Sequence, residues 1–313
     1  MFDRNKKIPF NKEYLEKASL VLEILPIVNE FDMFALHGGG GTAINFFLFD
    51  DLYRLSTDID LKYLIHEGHE KAKSNIFYHL RRIKETLVAK GYQVHREEGR
   101  LRSYVKKNDI EIFIDTSIDS REAIGEVISQ PINKVIAREF HVEPFEVRLI
   151  PDWQIMGSKL LTCLARQHAR DAFDSYVFLS RDQITEKIKE GIFKNLILSS
   201  ASIFNILNPL RKIWEEKVKT QFIGMSRFYF DYNLCVESIR YTAQRIHQSL
   251  NDLDKKFLVS IENQTVDRDT YNWLNSPAIK EAFERNYSQK ASITKRLQNL
   301  DFYFTNGPNR FEI

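Results

Sequence analysis

The chain reads as an α/β protein, with a small mixed sheet and flanking helices over residues 1–150 and an all-helical region over 151–313. Three observations carry that reading. Apolar residues recur with period two in short runs as far as Ile150, which marks strands. Pro151 closes the last of these runs and cannot continue a ladder. Beyond it, apolar residues recur at three and four, the helical spacing.

Residues 11–30 open with a helix, because Leu15, Ala18, Leu22 and Leu25 share one face. Met33 to Leu36 is a short apolar strand running into four glycines, Gly38 to Gly41. Thr42 to Phe49 reads as a helix with Thr42 near its cap. Asp58 to Leu64 is a strand carrying two acids. Residues 68–90 form a long amphipathic helix that Gly91 ends. The period then changes to two, and Tyr92–Glu97, Leu101–Lys106 and Ile110–Thr116 read as three antiparallel strands. Polar clusters at Glu97–Gly99 and Lys107–Asp109 supply their turns. In the third strand Ile110, Ile112 and Ile114 face the core, leaving Glu111, Phe113 and Asp115 opposite. Phe145–Ile150 is a further strand.

At 313 residues the chain can bury a sizeable core in two domains. Its 43% hydrophobic and 28% charged content is that of an ordinary globular protein, which argues against disorder. The first residues lack an apolar core of signal-peptide type. The most apolar stretch, Phe193 to Leu210, is broken by Lys, Asn and Ser and does not read as a membrane span. Cys163 and Cys235 lack metal-ligand spacing, so they read as buried thiols of a cytoplasmic protein. A net charge of +2 excludes a uniformly basic nucleic-acid binder but leaves local patches open. The aromatic residues Trp214, Phe222, Phe228, Tyr229, Phe230 and Tyr232 read as core rather than as a nucleobase platform.

The chemistry concentrates between Phe34 and Leu61. Glycines let backbone N–H groups approach phosphate oxygens, and a helix start favours anions. Asp58 and Asp60 alternate along a strand, so they share a face roughly 6.5–7 Å apart. Two carboxylates so placed suit a hard cation such as Mg2+, although a solvated strand face gives the same pattern. Arg54 reads as a structural partner of this loop, Ser56 as support for the Asp58 strand, and His37 as a strand-end histidine.

The order Gly40-Gly41-Thr42-Ala43, a gap, then Arg54-x-Ser56-x-Asp58-Ile59-Asp60-Leu61 resembles the AbiEii/AbiGii-type nucleotidyltransferases. These are abortive-infection and toxin–antitoxin proteins of the polymerase-beta-like superfamily. A second segment is similar to theirs as well: Gly157-Ser158-Lys159-Leu160-Leu161, Ala165-Arg166, then Arg170-Asp171-x-x-Asp174-x-Tyr176. The likeness covers residues 30 to 180. One departure concerns the loop, where four glycines stand in place of the family's usual two after a polar residue; Gly40 and Gly41, beside Thr42, take those positions.

The resemblance implies a nucleotidyltransferase-type sheet domain and transfer of a nucleotidyl group from an NTP to a hydroxyl. Two Mg2+ ions, with Mn2+ as a substitute, would be held by Asp58, Asp60 and a third acid. Asp115, on the family's corresponding strand, is that acid, with Glu111 the alternative. Gly40, Gly41, Thr42 and Lys159 would contact the triphosphate. Arg170, Asp171 and Asp174 either line the nucleotide site or brace helices. The implied acceptor is RNA (tRNA in some members) or protein, and the implied partner is a separately encoded antitoxin. The alternative is a non-catalytic module of the same fold that binds nucleotide or RNA. A phosphohydrolase fits less well, because the eight histidines are scattered.

Overall fold

A computed structural model describes residues 8–37, 40–97, 99–119, 121–287 and 293–312. Gly38 and Gly39 of the glycine run lie outside the described residues. The fold is the expected mixed α/β arrangement followed by a helical region. It divides into two compact units, one of residues 2–155 with 223–229, the other of 156–222 with 230–313.

In the sheet unit, α1 (Lys12–Val28) begins where the Asn11 side chain accepts a hydrogen bond from Glu13 N. Its buried stripe, Ala18, Val21, Leu22, Leu25 and Val28, packs on the sheet. Strand β1 (Phe34–Leu36) follows, wholly buried. Next come α2 (Gly41–Ala43), β2 (Ile59–Tyr63) and α3 (His69–Ala89). Helix α3 buries Ala72, Ile76, Leu80, Ile83 and Leu87, one apolar stripe along its length. Truncating such a buried Leu or Ile to Ala typically costs about 2–5 kcal/mol.

Strands β3 (Gln93–Arg96), β4 (Arg102–Lys107) and β5 (Ile110–Thr116) form an antiparallel meander. Strand β6 (Ile128–Pro131), α4 (Lys134–Phe140) and β7 (Glu146–Leu149) complete the unit. The seven strands order as β3-β4-β5-β2-β1-β7-β6. Only β2/β5 and β1/β7 are parallel, which makes the sheet mixed.

Three features depart from the sequence reading. The helix expected over 42–49 is one α-turn that widens into a π-helix over Ile44–Leu48, where Phe49 N bonds to Ile44 O at 2.9 Å. Ile44, Asn45, Phe46 and Phe47 are all buried, so no polar face exists to give the ordinary helical period. Strand β6 offers one apolar residue and an edge proline, so no alternation announces it. Helix α4 buries only Ile136, and its signal lies in its caps, Asn133 before it and His141 (φ 51°) after.

The helical unit contains α5 (Asp152–Arg166, whose first turn belongs to the sheet unit), α6 (Ala169–Leu179), α7 (Glu186–Leu198), α8 (Ile203–Leu207) and α9 (Glu215–Phe222). Helices α10 (Tyr232–Ser249), α11 (Asp252–Asn263), α12 (Pro277–Tyr287) and α13 (Ile293–Asn306) follow. Phe173, Phe222 and Phe230 pack with ring centroids 5.1–5.3 Å apart, the core role expected of the aromatic run. Trp214 and Tyr229 are exposed instead. Two ion pairs, Lys189–Asp254 and Arg296–Glu262, are buried among these helices. No helix among the described residues is long and apolar enough to cross a membrane.

Candidate active site

The carboxylates of the sheet unit are assembled by strand register. Strands β2 and β5 run parallel, with Asp60 opposite Asp115. Side chains at paired positions of parallel neighbours leave the sheet on the same face, with the strands roughly 4.8 Å apart. Asp58 lies one pleat earlier on the approach to β2 and is only 8% exposed. Among the described residues no three His, Cys, Asp or Glu side chains close into a ready-made metal cage. The arrangement is therefore an open row of acids along a sheet face.

The glycine loop lies against that row. A Cβ on Gly40 would come within 2.8 Å of Asp60 Cγ, and one on Gly41 within 2.8 Å of Arg54 Cζ. A side chain at either position would force the Asp60 or Arg54 side chain to move. Thr42 is buried; its hydroxyl donates to the Asp58 carbonyl at 2.5 Å and sits 2.9 Å from Ser56 Oγ. That hydroxyl ties the loop to the Asp58 backbone. His37 N donates to the Asp60 carbonyl at 3.3 Å, and Asn45 Nδ2 to the Gly41 carbonyl at 3.1 Å. Arg54 is buried and donates to the Leu55 carbonyl at 2.8 Å. Its strand position bridges to Ser226, and Leu55 N bonds to Met225 O at 2.8 Å, so residues 223–229 support the loop from behind.

Two site neighbours escaped the sequence reading. Arg102 Nη2 donates to Asp115 Oδ2 at 2.6 Å, and its guanidinium lies 4.4 Å from the centre of the Phe113 ring. The Asp115 hydrogen bond raises the Arg102 pKa above its ordinary value, against the opposing effect of burial. The signal was present: with a two-residue turn at Asn108–Asp109 and one-to-one pairing outward, Arg102 falls opposite Asp115. Lys62 is the other, two residues beyond Asp60 on the same strand face and buried. Burial lowers its pKa to about 8, with Glu122 pulling it back up. Glu111, the alternative third acid, is exposed and stands 4.0 Å from His95, toward the meander's outer strand.

The second segment occupies α5 and α6 of the helical unit. Lys159, 1% exposed, donates to Asp171 Oδ1 at 2.8 Å and pairs with Asp174 Oδ2 at 3.2 Å. Arg166 Nη2 reaches Asp171 Oδ2 at 3.2 Å. Burial alone would raise the Asp171 carboxyl, but Lys159 and Arg166 outweigh it and hold the pKa at about 2. Arg170 lies in the first turn of α6, half-buried. Gly157 faces the α7 backbone, where a Cβ would lie 2.6 Å from the Ile188 carbonyl oxygen. Cys163 is fully buried, and burial pushes its thiol up to about 12, so it is inert at neutral pH.

The comparisons with known proteins bear on family and fold. The family described as nucleotidyl transferase AbiEii toxin, type IV toxin–antitoxin system, matches residues 20–289. Among solved structures, the nucleotidyltransferase toxin MenT4 of Mycobacterium tuberculosis H37Rv superposes with a TM-score of 0.51 at 13% identity. That likeness covers 88% of this chain and 94% of MenT4 and is one of fold. No curated protein sequence gives a significant match. With the family match spanning most of its length, the chain belongs to the AbiEii nucleotidyl transferase toxins of type IV toxin–antitoxin systems.

Proposed function

We propose that this nucleotidyltransferase moves a nucleotidyl group from an NTP to a hydroxyl of RNA or protein, with pyrophosphate leaving and with Asp58, Asp60 and Asp115 as its catalytic acids. The observation that carries the reading is the Asp60–Asp115 register, with Gly40 pressed against Asp60. The donor set is all carboxylate oxygen, the kind that Mg2+ prefers, and the missing Cβ of Gly40 keeps the space beside the Asp60 carboxylate open. Bound Mg2+, or Mn2+ in its place, would supply charge neutralisation for in-line displacement at the α-phosphorus.

The chain's own residues do the rest. The backbone N–H groups of Gly41 and Thr42, in the first turn of α2, would meet the triphosphate, with the Gly40 N–H held by the His37 carbonyl at 3.4 Å, while the Thr42 and Arg54 side chains keep that loop in place. Asp115 accepts the proton of the attacking hydroxyl, and Arg102 holds its carboxylate in position until then. Lys159, Asp171 and Asp174 brace α5 against α6, because both acids already neutralise the lysine. The antitoxin is a separately encoded partner, and the reducing cytoplasm suits two unbridged buried cysteines.

Incubating pure protein with each labelled NTP, Mg2+ and either total RNA or cell protein tests the reading. Label covalently attached to one of these acceptors is the expected result. Nucleotide binding without incorporation would instead indicate a binding module, and phosphate release alone a hydrolase.

A further inference from the structure

The helical unit holds a cavity of about 620 Å³ between the α8 region and α13, remote in sequence from the acidic residues. Its size falls within the roughly 300–1,000 Å³ of small-molecule sites. Three cations line it, Lys295, Arg296 and Arg310, and no carboxylate is among its described lining residues. Arg296 is buried and held by Glu262, so its charge is cancelled and it serves as floor. The Glu262 carboxylate is fixed in turn by Ile203 N at 2.9 Å.

The other two cations form no ion pair among the described residues. Lys295 is exposed at the rim. Arg310 donates to Asn205 Oδ1 at 2.9 Å and lies 5.1 Å from the centre of the Phe204 ring, two neutral neighbours that fix the guanidinium without neutralising it. A pre-oriented guanidinium beside an ammonium, in a concavity with no acid among its described lining residues, is the chemistry that recognises phosphate. Asn205 and Asn299 add neutral amides that can meet polar edges of the rest of the ligand.

We propose that this cavity binds a phosphate-bearing ligand of nucleotide size, with Lys295 and Arg310 as its anion contacts. The phosphate belongs either to a free nucleotide or to a phosphodiester of single-stranded RNA, and the test separates these sources. Binding of inorganic phosphate, ATP and a ten-nucleotide single-stranded RNA is measured on the full chain in EDTA, which removes metal-dependent binding at the aspartates.

The expected result is binding of at least one probe that weakens tenfold or more in Lys295→Gln/Arg310→Gln, since each lost charge-assisted contact is worth about tenfold or more. Binding of ATP or phosphate identifies the free-nucleotide source. Binding of RNA alone identifies the phosphodiester, and the double variant should then flatten the log–log salt dependence by about 1.4, at about 0.7 per contact. If the double variant melts early, Lys295→Gln alone decides, because an exposed lysine leaves the fold intact. Absence of binding by all three probes, or affinities unchanged by the substitutions, overturns the proposal.

Discussion

Asp60 and Asp115 stand at paired positions of two parallel strands, and Arg102 holds the Asp115 carboxylate at 2.6 Å. Asp115→Asn keeps the shape and removes the basic oxygen. Turnover should fall about 10²–10⁴-fold, with NTP affinity changed only slightly; turnover and affinity measured on the same preparation check this, and normal turnover would remove Asp115 from the reaction. Gly40→Ala should also be damaging, because its methyl would overlap the Asp60 carboxylate. A displacement of about 1 Å at a reacting group costs on the order of 10²-fold, so activity should fall further than the modest loss of melting temperature that the overlap brings. The strand that carries Asp60 was readable from sequence, with Asp58 falling just before its first residue, Ile59. The burial of Thr42 and the spending of its hydroxyl on a carbonyl were not, because they depend on how the loop folds over β2.

At the scale of elements, the helices with one apolar stripe, α1 and α3, fall where their periodicity puts them. The π-helix after the glycine loop, the edge strand β6 and the short α4 did not announce themselves, since each lacks a two-sided pattern. Lys159 is an element-scale residue in this account. Replacing it with Met removes the buried cation that Asp171 and Asp174 share, which should cost about 3–5 kcal/mol of stability in denaturant titration. The same cluster sets an acid limit. The folded pKa of Asp171, about 2, lies below the unfolded value of about 3.9. Its stabilising contribution is therefore complete above roughly pH 4 and is lost as pH falls toward 2. Stability followed by circular dichroism should decline in that window, and less steeply in Asp171→Asn.

For the whole molecule, the sequence announced a strand-rich part followed by helices. It gave no hint that residues 223–229 return to the sheet unit, because the segment is short and its pairing is one non-local bridge, Arg54 with Ser226. The central claim is that the Asp58/Asp60 face of this unit performs metal-dependent nucleotidyl transfer. Its most direct test compares wild type with Asp58→Ala/Asp60→Ala in covalent labelling of RNA or protein by labelled NTP and Mg2+, alongside melting curves of both proteins. The account expects labelling by wild type, labelling reduced to background in the double variant, and a double variant that melts cooperatively as a folded protein. A double variant that labels as well as wild type would contradict it.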